Sequence, residues 1–183
     1  MVNIKVKNIL IAVSNKETID KLLPLIKSDK IWATEGTAKY IKLEVETVNL
    51  VALGFDFNGR LKTISREFFA RILVDRGQAT HMAELEKMGV EPIDLVVVDL
   101  YNPNSQNFPE SMDIGGQALI RAAIKNYKNV ALAFDAESIK ELVEHLKANQ
   151  GRSLLAFRKS QAKKAAKFVA ERSKLEAELI QNT

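Results

Sequence analysis

Leu95-Val96-Val97-Val98 is an unbroken apolar run, and it narrows the folds open to this chain more than any other feature. A strand with one wet face alternates polar and apolar residues, whereas a strand covered on both faces reads as continuously apolar. Double coverage is the condition of parallel strands joined by helical crossovers. Further strand-like runs fall at 4–13, 31–33, 45–51 and 130–134, with the apolar run extending over 95–100. Helical periodicity falls near 18–26, 37–42, 67–74, 80–88, 117–124 and 138–147. This alternation predicts an α/β fold: a three-layer, open, mainly parallel sheet with right-handed crossovers and extra C-terminal helices. Residues 1–150 read as the α/β body and 151–183 as a helical extension of the same domain, with Asn149-Gln150-Gly151 as the one hinge.

The chain has 183 residues, 46% hydrophobic and 27% charged, enough for one core and no second catalytic domain. Cysteine is absent, which excludes disulfides, Cys-ligated zinc and thiol nucleophiles. The N-terminus reads as a first strand and not a secretory signal, and no apolar run reaches transmembrane length. The expected setting is the cytoplasm, with no membrane partner.

The net charge of +4 suggests nucleic acid until it is located. From Arg152 onward eight Lys/Arg stand against three Glu, a net of +5, which leaves −1 for residues 1–151. The basicity belongs to one C-terminal helix. Its apolar positions Ala162, Ala165, Ala166, Val169, Leu175 and Leu179 recur at helical spacing, so the lysines fall on a solvated face. No aromatic residues interleave with the charges for base stacking, and nucleic acid is not expected as a partner.

In open parallel sheets the ligand sits outside the carboxyl ends of the strands. That rule selects Ser14-Asn15-Lys16, Thr34-Glu35-Gly36-Thr37 and Tyr101-Asn102-Pro103. The second loop suits phosphate: Gly36 permits close backbone approach, Thr34 and Thr37 bring hydroxyls, and a helix start follows. Such a loop by itself is more often a plain N-cap, and it is its coincidence with the other strand-end loops that favours a ligand. Asn58-Gly59-Arg60-Leu61-Lys62-Thr63 is a basic loop able to complete an anion cradle, and Asp113-Ile114-Gly115-Gly116 reads as a helix start.

At these segments the chain resembles the IMP cyclohydrolase domain, the N-terminal half of the bifunctional purine biosynthesis enzyme and a member of the methylglyoxal-synthase-like, Rossmann-like folds. The family reads Gly-Arg-Val-Lys-Thr-Leu-His-Pro, Asn-Leu-Tyr-Pro and Asp-Ile-Gly-Gly in this order. Ala12-Val13-Ser14-Asn15-Lys16 and Thr34-Glu35-Gly36-Thr37-Ala38-Lys39 are similar to two more of its segments, and the likeness runs from Ile9 to about Ala170. The resemblance implies closure of formamido-imidazole-carboxamide ribotide to IMP with loss of water, without metal or cofactor. It implies that Ser14, Lys16, Thr34, Gly36, Thr37, Arg60 and Thr63 bind the substrate, largely through its phosphate, and that Asp99, Ile114, Gly115 and Gly116 meet the rest. Lys62, Tyr101, Asp113 and Lys125 are the catalytic residues it implies. The family domain is usually fused to a formyltransferase, so a stand-alone cyclohydrolase is expected, supplied by a separate formyltransferase, with a second copy of the chain as a further candidate partner.

Ring closure asks a weakly nucleophilic amide nitrogen to attack a formyl carbon, so charge builds on the formyl oxygen and a proton leaves the nitrogen. Gly115 and Gly116 can offer N–H donors to the oxyanion. Asp113 and Tyr101 can relay the proton, and Lys62 can stabilise negative charge. Without the resemblance, Asp113 reads first as a plain helix cap, with the glycines making a tight turn. Lys125 lies twelve positions further on, roughly 18 Å along an unbroken helix, so it requires a helix that turns back or an approach from another direction, including a subunit interface. Its alternative is a lysine facing the helix C-terminus.

The chain departs from the family at Ala12, Glu35, Asp99, Ile64-Ser65-Arg66 and Tyr127. Two family histidines are thereby lost, and His81 and His145 are the only ones present. Glu35 should point outward, away from a phosphate. A methylglyoxal-synthase-like lyase needs a Gly-Asp-Pro-Leu segment and a catalytic histidine that find no counterpart here. A non-catalytic purine-nucleotide-binding regulatory domain of the same fold tolerates the departures.

Overall fold

The computed structural model describes residues 3–26, 29–47 and 64–181. Strand β1 (Ile4–Lys5) pairs antiparallel with β7 (Arg152–Ser153) in a small separate sheet. The main sheet holds β2 (Asn8–Ala12), β3 (Lys30–Ala33), β4 (Glu46–Thr47), β5 (Leu95–Val98) and β6 (Ala131–Ala133), all parallel, in the order β4-β3-β2-β5-β6. Its register sets Leu10 beside Trp32 on one side and Val96 on the other. All four residues of β5 are buried, as the continuous apolar run demands.

Alternate strand residues face two cores. Ile9, Ile11, Ile31, Ala33, Leu95, Val97, Ala131 and Ala133 pack on one face with Ile19, Leu22 and Ile26, and with Ile139, Leu142 and Leu146 of α6 (Ala136–Ala148). Leu10, Trp32, Val96, Val98, Leu132 and Phe134 pack on the other, with α3 (Arg66–Leu73), α5 (Ile114–Lys125) and α7 (Leu155–Gln181). The layers are therefore helix, sheet, helix. Two short helices, α1 (Leu23–Ile26) and α2 (Glu35–Tyr40), lie in the first half of the chain, and α4 (Ala79–Lys87) precedes β5.

Two local expectations are corrected. The first strand does not run unbroken over 4–13, because the buried Asp94 carboxylate takes the amides of Lys7 and Asn8 at 2.9 and 2.8 Å, while Val6 N–H donates to the Gly151 carbonyl. The backbone between β1 and β2 is thus claimed by partners outside the main sheet. The expected helix over 18–26 is a 3-10 turn, Lys16–Ile19, followed by α1, since Pro24 lacks an N–H and is accommodated only in the first turn of a new helix, not inside a continuous one.

The C-terminal helices are one helix of 27 residues. Ala162, Ala165 and Val169 are buried as expected, but Ala166 and Leu175 are exposed and Glu176 is buried in their stead. Arg158 pins the start of α7. It is 1% exposed, and its guanidinium donates to the carbonyls of Tyr127, Lys128 and Ser153. Further along, Phe168 packs on Phe134 with ring centroids 5.3 Å apart, next to the edge strand β6.

Candidate active site

The strand order reverses between β2 and β5, because β3 and β4 extend the sheet to one side and β6 to the other. In open parallel sheets the loops leaving those two strands at their carboxyl ends flank the ligand position. Asp99, directly after β5, ties them together. Its Oδ1 accepts from the Ser14 amide and its Oδ2 from the Asn15 amide at 3.2 Å. Asp99 thus spends its carboxylate on the loop backbone, in the place where the family motif has an amide side chain.

The first and second loops are joined by hydrogen bonds. Lys16 Nζ donates to the Val13 carbonyl, and burial pulls its pKa down from the usual lysine value against the opposing pull of Asp99. Thr37 is fully buried: its hydroxyl takes the Val13 amide at 3.4 Å, lies 3.3 Å from the Val13 carbonyl, and receives a bond from the Thr34 hydroxyl at 3.1 Å. Thr37 therefore joins β2 to β3, and Thr34 is the hydroxyl of the pair nearer solvent. Gly36 is exposed with nothing within 4 Å of where a Cβ would stand, so the space over it is open. Glu35 points outward as expected, paired with Lys39 at 2.6 Å, which lowers its pKa.

A second group lies at the start of α5. Asp113 caps the helix through a 2.7 Å bond from the Gly116 amide to Oδ1, and the Tyr101 amide also donates to its carboxylate. Burial dominates and pushes the Asp113 carboxyl above the usual aspartate range, with Asp99 adding to the rise, while the two amides and Arg172 oppose it. Tyr101 is 55% exposed and Ile114 is exposed beside it, with Gly115 half-buried and Gly116 buried. Asp113 is thus both the cap and a carboxyl with a raised pKa near a strand-end crevice.

Lys125 is not brought to this group. Helix α5 runs without a break over 12 residues, and Lys125 is its exposed last residue, so the helix that turns back does not occur. Arg60, Lys62 and Thr63 lie outside the described residues. Ser14, Lys16, Thr34, Gly36, Thr37 and Asp99 are collected at the ends of β2, β3 and β5, and Asp113, Ile114, Gly115 and Gly116 at the start of α5, with Tyr101 in the loop after β5.

Helix α7 supplies residues that sequence reasoning missed. Arg172 donates to Asn102 Oδ1 from both terminal nitrogens, at 3.3 and 3.4 Å, and its guanidinium lies 5.5 Å from the Phe168 ring. Glu176 accepts at 2.6 Å from Gln117, in the first turn of α5. The Phe168/Arg172 spacing of four on a helix was the one available signal.

Fold and site together define an open parallel α/β protein whose polar loops converge at the switch point of the sheet. No protein-family model matches the chain. It is 34% identical over 157 residues to the bifunctional purine biosynthesis protein PurH of Prochlorococcus marinus, covering 77% of this chain and 30% of that protein. It is 33% identical over 176 residues to PurH of Bradyrhizobium diazoefficiens and 35% identical to that of Rhizobium rhizogenes, in both cases covering 88% of this chain and 33% of the relative. The crystal structure of ForH superposes with a TM-score of 0.79 at 26% identity, over 96% of this chain and 99% of that one. These matches bear out the resemblance in the motifs: the chain is homologous to the part of the PurH proteins that carries the IMP cyclohydrolase motifs. It spans about a third of the length of those relatives.

Proposed function

We propose that this chain is an IMP cyclohydrolase, closing formamido-imidazole-carboxamide ribotide to IMP with loss of water in the last step of de novo purine synthesis, in the cytoplasm. The observation that carries the reading is Asp113: a carboxyl pushed up by burial, fixed at the start of α5 and linked through backbone to Tyr101. A base of this kind is better matched to neutral pH than an ordinary aspartate.

In the proposed reaction the carboxamide nitrogen attacks the formyl carbon, a C–N bond forms, and negative charge develops on the formyl oxygen. Asp113 takes the proton leaving the nitrogen, directly or through the Tyr101 hydroxyl. The oxygen takes up that proton to give a hydroxyl, and when the C–O bond breaks it leaves as water with a second proton, the one given up by the former formamido nitrogen as the ring C=N bond forms. Because the Gly116 amide is committed to Asp113, the oxyanion contact is assigned to Gly115. The ribotide phosphate is assigned to the Ser14–Lys16 loop and the open space over Gly36 beside Thr34, with Arg60, Lys62 and Thr63 in the roles that the family motif implies. Lys125, at the far end of α5, has no part in this arrangement within one chain.

The test is direct: the formylated ribotide is added to the purified chain and the appearance of IMP is followed by absorbance. Steady IMP formation is expected. Tight binding of IMP with no turnover would replace the enzyme by a nucleotide-binding regulatory domain.

A further inference from the structure

Helix α7 is read from sequence as a solvated basic extension, yet its last third lies against the loop that carries Tyr101. Arg172 bonds the Asn102 side chain through both terminal nitrogens and stacks on Phe168, which is itself seated on Phe134 beside β6. One turn on, the buried Glu176 holds Gln117 in the first turn of α5. The loop after β5 and the start of α5 are thus gripped from one helix by two adjacent polar contacts. We propose that Arg172 is a positioning residue: anchored on Phe168 and bonded to Asn102, it fixes the Tyr101–Asn102 loop over the carboxylate of Asp113.

Two features support this over a solvent-facing pairing. The guanidinium is preorganised by the ring beneath it, so little side-chain freedom is lost in forming the bonds to Asn102. The charges around Asp113 are unequal in kind: Arg172 from α7 opposes the burial of the carboxylate, while Asp99 from the exit of β5 reinforces it. Among the described residues, Arg172 is the one cation that acts on Asp113. Removing it would free the loop and take away the cation that, among the described residues, offsets Asp99.

The inference rests on the cyclohydrolase reading for its effect on rate, but the positioning itself can be measured without turnover. Arg172→Ala, Arg172→Lys and Asn102→Ala are compared with the parent chain and with Lys174→Ala, an exposed α7 control. Amide hydrogen exchange should be roughly threefold or more faster at Tyr101 and Gly116 in Arg172→Ala and Asn102→Ala, while the amides of β6 and α6 keep the parent rate. Turnover should fall roughly tenfold to a hundredfold in kcat, with IMP affinity changed by less than about threefold, because misplacement of a reacting group acts on the transition state. Arg172→Lys should recover part of the loss, and the Arg172→Ala/Asn102→Ala pair should be no worse than either alone. Parent-like exchange at both amides in the two alanine variants overturns the proposal, as do rate losses that simply add. A parent chain that makes no IMP removes the cyclohydrolase reading, and the exchange comparison then decides the role of Arg172 by itself.

Discussion

Asp113 and Gly116 are packed so closely that neither can change without the other. The Gly116 amide donates to Asp113 Oδ1 at 2.7 Å, and a Cβ on Gly116 would stand 2.7 Å from Asp113 Oδ2 and 2.6 Å from Leu100 Cδ2. Gly116→Ala adds about 1 kcal/mol of helix propensity. Against that, forcing a methyl into this contact costs roughly 1–3 kcal/mol. Thermal melts should show a small net destabilisation, and turnover should fall by more than about tenfold because the carboxylate is the group with freedom to move.

Asp113→Asn separates cap from base. Asparagine caps a helix as well as aspartate does, so the bond from Gly116 is retained. A carboxyl whose folded pKa is raised stabilises the fold below the ordinary aspartate range and loses that contribution as pH rises through the raised folded value. The asparagine variant should therefore melt at or above the parent temperature at neutral pH and lose that advantage in acid. Its kcat should fall about 10²-fold, as should that of Tyr101→Phe, with IMP binding little changed. Parent-like turnover by Asp113→Asn would reduce Asp113 to a cap.

Nucleotide should stabilise the chain and nucleoside should not. A ligand specific to the native state contributes about 2.7 kcal/mol at a hundredfold excess over its Kd. Differential scanning with IMP, xanthosine monophosphate and the matching nucleosides reads this directly. Equal shifts for nucleoside and nucleotide would remove the phosphate assignment to the Ser14–Lys16 and Thr34–Gly36 loops.

Arg158→Ala leaves the carbonyls of Tyr127, Lys128 and Ser153 without this donor inside the fold, and should cost roughly 2–4 kcal/mol in denaturant titrations. Arg158→Lys should recover less than half, since a compact ammonium cannot reproduce the planar fork that reaches three carbonyls in different directions.

His145 makes the fold sensitive to mild acid. Its ring stacks on Phe157 at 4.0 Å, and Nε2 accepts from the Leu154 amide at 3.2 Å, which requires that nitrogen to be unprotonated. Burial, with Arg158 nearby, lowers its pKa. A lowered histidine pKa stabilises the fold above the ordinary value near 6.5 and loses that contribution as pH falls through the folded value. Melting temperature should decline over that interval, and His145→Phe should flatten the decline.

Local chemistry was enough to read the architecture. The apolar run of β5 identified a strand covered on both faces, and the glycine- and threonine-bearing loops at strand ends marked the carboxyl edge where Asp99 takes the Ser14 amide and Thr34 bonds Thr37. Both signals reside in a few consecutive residues and survive without knowing their neighbours.

Partnership across the chain was decided only by the tertiary structure. Asp94, 86 residues from Asn8, claims the amides that divide the first strand, and Thr37 turned out to serve Val13 in a fully buried setting. Helical spacing favoured Leu175 for the buried face of α7, yet Glu176 is buried and Arg172 reaches the Tyr101 loop, because that stretch of the helix meets polar groups at the start of α5 and not apolar core. Lys125 is separated from Asp113 by the whole length of an unbroken helix. Periodicity reports which side of a segment avoids water, and it is silent on what the other side finds there, since that depends on groups brought close by folding and not by order along the chain.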